Sequence, residues 1–270
     1  MRSTPRWIDS LAASAAAYRI GLASAVAAWP VLLGRAIFYG VCLMVLVSFW
    51  DKVAATRIAG GTTLPAGGLG AYIGVTEWIT LSVTPIHLRL EDDIRSGALE
   101  PHLLRPKSYL AQAIAGEAGG MTARLVMLGA AGLLLLALSG RAAPPPIAFV
   151  YVAILGVGGA LIGVLLYALV GLTAFWMRKV LPPLLIMQKL MFLLGGLFAP
   201  ISLYPGWLHA IAAASPFGAH LAFAGEASLA PSAAAFWRGL AAQGAWLAVL
   251  AAAAALIWRA GLARVTRGAI

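Results

Sequence analysis

The chain has 270 residues, of which 62% are hydrophobic and only 10% are charged, and its mean hydropathy is +0.92. A soluble globule of this size needs more polar surface than this composition provides, so the sequence excludes a soluble protein. The formal charge of +10 would suggest a nucleic-acid partner for a soluble chain. In a membrane protein, basic residues instead report orientation, and we predict no nucleic-acid binding.

Six stretches of the chain are long and apolar enough to cross a bilayer. The hydrocarbon core is about 30 Å thick, and a helix needs roughly 20 residues to cross it. The predicted spans are residues 31–50, 67–88, 121–140, 147–175, 183–203 and 239–258. The sequence therefore predicts an all-α integral membrane protein with six transmembrane helices, in which residues 1–270 form a single transmembrane domain.

An alanine-rich and mildly apolar segment, residues 7–29, precedes the first span. We expect an interfacial helix that lies along the inner membrane surface, with Trp7 and Trp29 as anchors at headgroup level. Pro30 separates this helix from the first span, because its ring disfavours helix in the preceding residue. The alternative is one long, tilted first span that begins near Ile20.

The distribution of basic residues indicates which side of the membrane each loop occupies. If the chain starts in the cytoplasm, 15 of its 19 lysine and arginine residues lie inside or close enough to the inner surface to reach it. The four that lie outside are Lys52, Arg57, Arg141 and Arg238. Cytoplasmic loops carry the excess of positive charge, so both termini are predicted to be cytoplasmic.

The most densely charged part of the chain follows the second predicted span. Residues 89–108 hold four acidic and four basic residues. We expect a short helix with residues 91–93 in its first turn, where unpaired amide donors favour carboxylates, and with Gly97 at its end. Ser108 is predicted to cap the helix that leads into the third span. Such an element is suited to fit a groove in a soluble partner; the alternative is a solvated loop without one.

The largest outer segment comprises residues 204–238. It has too little charge for a soluble domain, and three prolines prevent it from forming a span. We predict a re-entrant segment of short helices that dip into the outer leaflet.

Catalytic and nucleotide-binding motifs are largely missing from the sequence. No Gly-Lys dipeptide occurs, so a phosphate-binding P-loop is excluded, and no pair of cysteines could hold a metal. We therefore predict no catalytic residue, metal or cofactor on this chain. One alternative remains: His87 and Asp92 have the H-x-x-x-x-D spacing of membrane acyltransferases, in which a carboxylate orients a histidine base.

Three polar residues within the predicted spans are candidates for lining a path. Glu77 is midway along the second span, where an ionised carboxylate costs at least about 2.5 kcal/mol. It could line a path, pair with Lys189, or be a protonated packing residue. Gln188 and Lys189 lie about two turns into the fifth span, where Lys189 could also reach the inner surface. A stand-alone channel is a third possible function, although channel-lining charges usually recur along one helix and Glu77 is the only carboxylate deep in a span.

The sequence of the polar segment resembles a known family. Residues 94–108, IRSGALEPHLLRPKS, are similar to the pattern I-x-x-G-x-L-x-x-x-L-L-R-P-x-S. This pattern recurs between the second and third spans of six-span permease subunits of the type-two ABC exporter class. Tyr18 and Arg19 before the first span, and the P-x-W-L and P-F elements in residues 203–217, are further similarities.

The resemblance implies that residues 89–120 form a cytoplasmic coupling segment, whose short helix seats on a separate ATP-hydrolysing subunit. By position, the residues assigned to coupling are Glu91, Asp92, Asp93, Ile94, Arg95, Ser96 and Gly97, with Leu104, Arg105 and Pro106 holding the following turn.

The resemblance also implies partners for this chain. Cognate ABC ATPase subunits would bind ATP and Mg²⁺, and a second six-span permease subunit, identical or related, would enclose the path. The expected function is the permease half of an ATP-driven exporter in a bacterial plasma membrane, a transport subunit without catalysis of its own.

Overall fold

The computed structural model describes residues 6–55, 68–99, 108–140 and 143–267, and the regular structure in these ranges is entirely helical. The α-helices are α1 (Arg6–Ala27), α2 (Trp29–Ala55), α3 (Gly68–Ser82), α4 (Ile86–Arg95), α5 (Tyr109–Leu138), α6 (Pro146–Leu172), α7 (Leu181–Leu194), α8 (Gly206–Ala214), α9 (Phe223–Leu229) and α10 (Ala233–Thr266). The predicted fold class is confirmed, because the helices include several that are long and apolar enough to span a membrane.

Among the described residues, five helices have the length and composition of membrane spans: α1, α2, α5, α6 and α10. The fifth predicted span is represented by α7, which has only 14 residues. It ends at Leu194, and Gly196 adopts a φ of +71°, so the chain turns well before the predicted end of this span. A left-handed φ is open to glycine at little cost, which explains why the helix stops here.

Helix α6 lies at the centre of the bundle. It is apolar on nearly all sides, and residues such as Leu155, Ile162 and Leu172 are buried along its whole length. A helix that is hydrophobic all round is expected in such a central position. Helices α3, α4, α9 and α10 all pack against it, so α6 connects the segment that contains α9 to the segment that contains α4.

The second predicted span differs from the structure at its inner end. We expected one helix over residues 67–88, but α3 ends at Ser82 and α4 begins at Ile86. Pro85 lies between them and has no amide hydrogen to continue the ladder. The carbonyl of Ser82 instead accepts a hydrogen bond from Arg124 Nε at 2.7 Å, and the carbonyl of Leu81 accepts one from Arg35 Nη1 at 2.9 Å. Two arginines from neighbouring helices therefore stabilise the break.

Helix α5 begins twelve residues before the predicted third span, at Tyr109. The predicted cap is confirmed, since Ser108 Oγ accepts a hydrogen bond from the Ala111 amide at 3.3 Å. The early turns of α5 carry polar residues such as Gln112 and Glu117, which is why an apolar window placed the start too late.

The early turns of α5 pack against α1 along a glycine seam. A Cβ on Gly21 would overlap the carbonyl oxygen of Gly116, and a Cβ on Gly119 would overlap that of Tyr18. Later residues of α1 meet earlier residues of α5, so the two helices run antiparallel. Helix α1 ends at Ala27, before α2 begins, so a separate helix before the first span is present; its position at the membrane surface stays a prediction.

The outer segment enters the helix bundle. It forms α8, a π-helical turn over Gly218–Ala222, and α9. His220 in the turn is fully buried, and its Nδ1 lies 2.7 Å from the carbonyl oxygen of Gly159, midway along α6. Gln243 of α10 donates hydrogen bonds to the carbonyls of Leu155 and Ala219 at 2.8 and 2.9 Å. The segment is thus held between α6 and α10, close to the middle of α6.

Candidate functional site

Helix α4 is amphipathic, and one of its faces is built into the protein. Ile86, His87, Leu90 and Ile94 are buried, as their spacing of three and four residues requires for one helical face. This face lies directly on the C-terminal end of α6: a Cβ on Gly171 would be only 2.8 Å from the Cα of His87 and from the Cβ of Leu90. The absence of a side chain at Gly171 therefore lets α4 approach the α6 backbone.

Two carboxylates fix α4 to its neighbours. Asp93 accepts a hydrogen bond from the Tyr109 hydroxyl at the start of α5, and it pairs with Arg89 at 3.6 Å. Glu91 Oε1 lies 3.5 Å from Arg95 Nη1 and accepts a hydrogen bond from the Val180 amide at 3.4 Å. These contacts tie α4 both to α5 and to the turn before α7.

The prediction that residues 91–93 lie in the first helical turn was wrong. Helix α4 starts at Ile86, so the three carboxylates lie in its second half. They do not interact with the unpaired amides of the helix N-terminus. Their i, i+4 partners, Arg89 and Arg95, hold Asp93 and Glu91 instead.

The end of α4 agrees with the sequence. The Ser96 amide donates to the Asp92 carbonyl at 2.9 Å, and Gly97 follows with a φ of +75°. This conformation favours glycine, so the predicted helix end is confirmed. Leu104, Arg105 and Pro106, which were assigned to the following turn, lie outside the described residues.

A cluster of three aromatic side chains lies next to α4. The Tyr109 ring stacks on Trp258 of α10 with centroids 5.6 Å apart, and Trp258 meets Phe175 edge-on at 5.6 Å. A Cβ on Gly261 would overlap the Phe175 ring, so the backbone of α10 packs closely against Phe175. The N-terminal end of α5 and the C-terminal parts of α6 and α10 therefore pack together and support α4.

The part of α4 that is not in contact with the rest of the protein is a small surface. Asp92, Arg95, Ser96 and Gly97 are exposed on the side of α4 that faces away from the protein. Ile94 is buried, and Glu91 and Asp93 are partly buried at their contacts, so these three residues position α4 rather than form its free surface. The coupling residues predicted from the sequence thus divide into an anchoring set and an exposed set.

The part of the chain that forms these helices matches a known protein family in sequence. Residues 69–267, from the second residue of α3 to just beyond α10, match the family described as ABC-2 family transporter protein. The chain belongs to the ABC-2 transporter family. No curated protein matches it. The resemblance found in the polar segment is confirmed, and this ABC-2 chain is a multi-pass membrane permease of an ABC transporter, a transport subunit rather than a catalytic one.

The acyltransferase alternative is not supported by the geometry of this ABC-2 permease. Residues five apart on a helix differ by about 140° in direction. His87 accordingly points into the protein, where it stacks on Tyr167 with ring centroids 5.3 Å apart, whereas Asp92 is exposed. Burial lowers the pKa of His87, with Glu91 opposing this effect. The two residues do not form a histidine–carboxylate pair.

The three polar residues singled out within the predicted spans lie on two different helices of the permease. Glu77 of α3 is partly buried near Tyr39 and Cys42 of α2, with which it interacts electrostatically. Gln188 and Lys189 are exposed on α7. Among the described residues Glu77 and Lys189 form no ion pair, so this alternative for Glu77 is not supported.

A buried polar network beside the α3–α4 break was not predicted. Arg124 Nη2 donates to Thr84 Oγ1 at 2.9 Å, in addition to the bond from Nε to the Ser82 carbonyl. Thr84 Oγ1 in turn donates to Glu117. Only 7% of Arg124 is exposed, although the sequence suggested merely that it lies towards the inner side. The sequence did contain a signal for this network: Pro85 breaks the helix and frees backbone carbonyls, and an arginine in a neighbouring span can donate hydrogen bonds to them.

Proposed function

We propose that this chain is the permease half of an ATP-driven exporter, and that α4 couples it to a separate ATPase subunit. The observation that carries the proposal is the two-sided construction of α4. Its apolar face is fixed to the inner ends of α5, α6 and α10, while Asp92, Arg95 and Ser96 are presented outward. A surface element that is exposed, charged and firmly supported is suited to receive force from a soluble protein.

The contacts of α4 suggest how its movement would reach the membrane. A push on α4 acts on α6 through Leu90 and Gly171, and on α5 through the bond between Tyr109 and Asp93. The break at Pro85 separates α4 from α3, so these helices can change their relative angle. ATP and Mg²⁺ bind to the partner ATPase, and closure of its subunits would tilt the spans and open the path outward.

The path itself requires a second six-span subunit, identical or related. Helix α7 exposes Gln188 and Lys189 along with Leu185 and Ile186. Polar groups that face lipid in a span are costly, so this face of α7 is better placed against a path or another subunit. We assign the assembly to a bacterial plasma membrane, with both termini in the cytoplasm.

Cysteine labelling tests both the orientation of the chain in the membrane and the proposed contact between α4 and the ATPase. The chain has one cysteine, so a Cys42→Ser background makes Ser96→Cys a single reporter. We expect Ser96→Cys to react with a membrane-impermeant maleimide only from the cytoplasmic side, and to be protected when the cognate ATPase is co-expressed.

The matched control is Ser202→Cys, an exposed position next to the outer segment. It should react only from the opposite side, and the ATPase should not alter its labelling. Labelling of Ser96→Cys from the outside, or the same rate with and without the ATPase, would argue against the proposal.

A further inference from the structure

A half-open cavity of about 540 Å³ lies between α1, the start of α4 and the first half of α5. Arg89, Arg124, Glu117 and Gln112 form its polar lining. On the opposite side the lining comes from α1 and consists of small or apolar residues, such as Ile20. The cavity therefore combines charges of both signs with an apolar wall, and it is separate from the exposed face of α4.

The charged groups around the cavity have capacity for a ligand. A guanidinium has five N–H groups, and within the described part of the chain Arg124 donates two of them, to Ser82 and Thr84. Arg124 is almost entirely buried, and it is part of the cavity lining. The Arg89 side chain pairs with Asp93 through Nε at 3.6 Å and is 53% exposed, and one carboxylate oxygen of Glu117 accepts a bond from Thr84. Two cations and one carboxylate thus face the same space.

The apolar wall indicates that an occupant has a hydrocarbon part. Ile20 lines the cavity and is 67% exposed, and the α1 residues beside it in the lining include Ala17 and Ala25. Such an α1 surface is suited to contact acyl chains, and the predicted topology places this end of α5 at the inner leaflet.

We propose that the cavity binds a phospholipid with a primary ammonium headgroup, of the phosphatidylethanolamine class. Arg89 and Arg124 hold the phosphate, because arginine suits phosphate oxygens, and Glu117 accepts hydrogen bonds from the ammonium. The acyl chains lie along the exposed side of α1. Since Arg89 belongs to α4 and Arg124 to α5, the bound lipid joins the coupling helix to the third span.

Lipid binding by the purified chain tests this assignment without the ATPase, so its outcome is independent of the proposed function. Native mass spectrometry of the full chain in detergent would compare phosphatidylethanolamine, phosphatidylglycerol and phosphatidylcholine with identical acyl chains. We expect phosphatidylethanolamine to bind about tenfold more tightly than the other two. Phosphatidylcholine has no N–H group for Glu117, and phosphatidylglycerol has no ammonium.

Two substitutions separate the roles of the charges. Arg89→Gln should weaken phosphatidylethanolamine binding about tenfold, whereas Arg95→Gln on the same helix, outside the cavity, should leave it unchanged. Glu117→Gln keeps an oxygen for Thr84 but removes the charge, so the preference for phosphatidylethanolamine over phosphatidylglycerol should disappear.

Three results would overturn the proposal. The first is equal binding of the three lipids by the unaltered chain, and the second is equal loss of binding in Arg89→Gln and Arg95→Gln. The third is binding of soluble phosphoethanolamine as tight as that of the diacyl lipid, since it would assign the cavity to a free phosphate monoester.

Discussion

Replacement of Asp92 by arginine is expected to separate the permease from its ATPase while leaving the folded chain in the membrane. Asp92 is exposed on α4, and its neighbours Glu91 and Asp93 make the contacts that hold the helix. Reversal of one charge at an interface should weaken association by about 2 kcal/mol, roughly 30-fold. Co-purification of the ATPase and its stimulation by the reconstituted permease both measure this loss.

Arg238→Asp is the matched control for Asp92→Arg. It reverses one exposed charge near the opposite end of the protein, at the start of α10. We expect it to retain the ATPase and full stimulation. If Asp92→Arg also retained both, with unchanged transport, the proposed role of α4 would be untenable.

Replacement of Arg124 by leucine is expected to have the largest effect on stability. The substitution removes the hydrogen bonds to the Ser82 carbonyl and to Thr84, and it also removes the favourable charge interaction between Arg124 and Glu117. Loss of a buried, hydrogen-bonded charge should cost about 3 to 5 kcal/mol. Thermal unfolding of the purified chain should show a clearly lower midpoint, and amides around the α3–α4 break should exchange faster with solvent.

Two other arginines calibrate the effect of Arg124→Leu. Arg19→Leu alters an exposed residue of α1 and should change the unfolding midpoint little. Arg35→Leu removes one bond, to the Leu81 carbonyl, but also relieves repulsion with Arg124, so its effect should be intermediate. Equal midpoints for the Arg124 and Arg19 variants would contradict the stabilising role of the network.

From the sequence, the residues that end α4 and cap α5 could be predicted better than the residue at which α4 begins. Gly97 and Ser108 were found correctly, because a helix end with positive φ and a hydroxyl cap depend on neighbouring residues alone. The start of α4 was missed because the apolar residues from Ile86 onward seemed to continue the second span. Pro85 was the signal that the helix breaks there.

The anchoring contacts could not be predicted from the sequence. Asp93 meets Tyr109, and Glu91 meets Val180, only because α4 lies on the end of α6. The Arg124 network likewise needs α5 to pack against the end of α3 and the turn that follows it, which no local pattern specifies. The exposure of Asp92 and the burial of Ile94 could be predicted in part from the sequence, because Ile86, Leu90 and Ile94 have the spacing of one helical face.

Photo-cross-linking from position 95 tests the central claim most directly. A photoreactive residue in place of Arg95, which lies on the exposed face of α4, would be activated in native membranes. We expect a cross-link to a soluble ATPase subunit, and we expect Asp92→Arg to abolish it. Active transport with cross-links to lipid alone, or to no other protein, would contradict a coupling role for this helix.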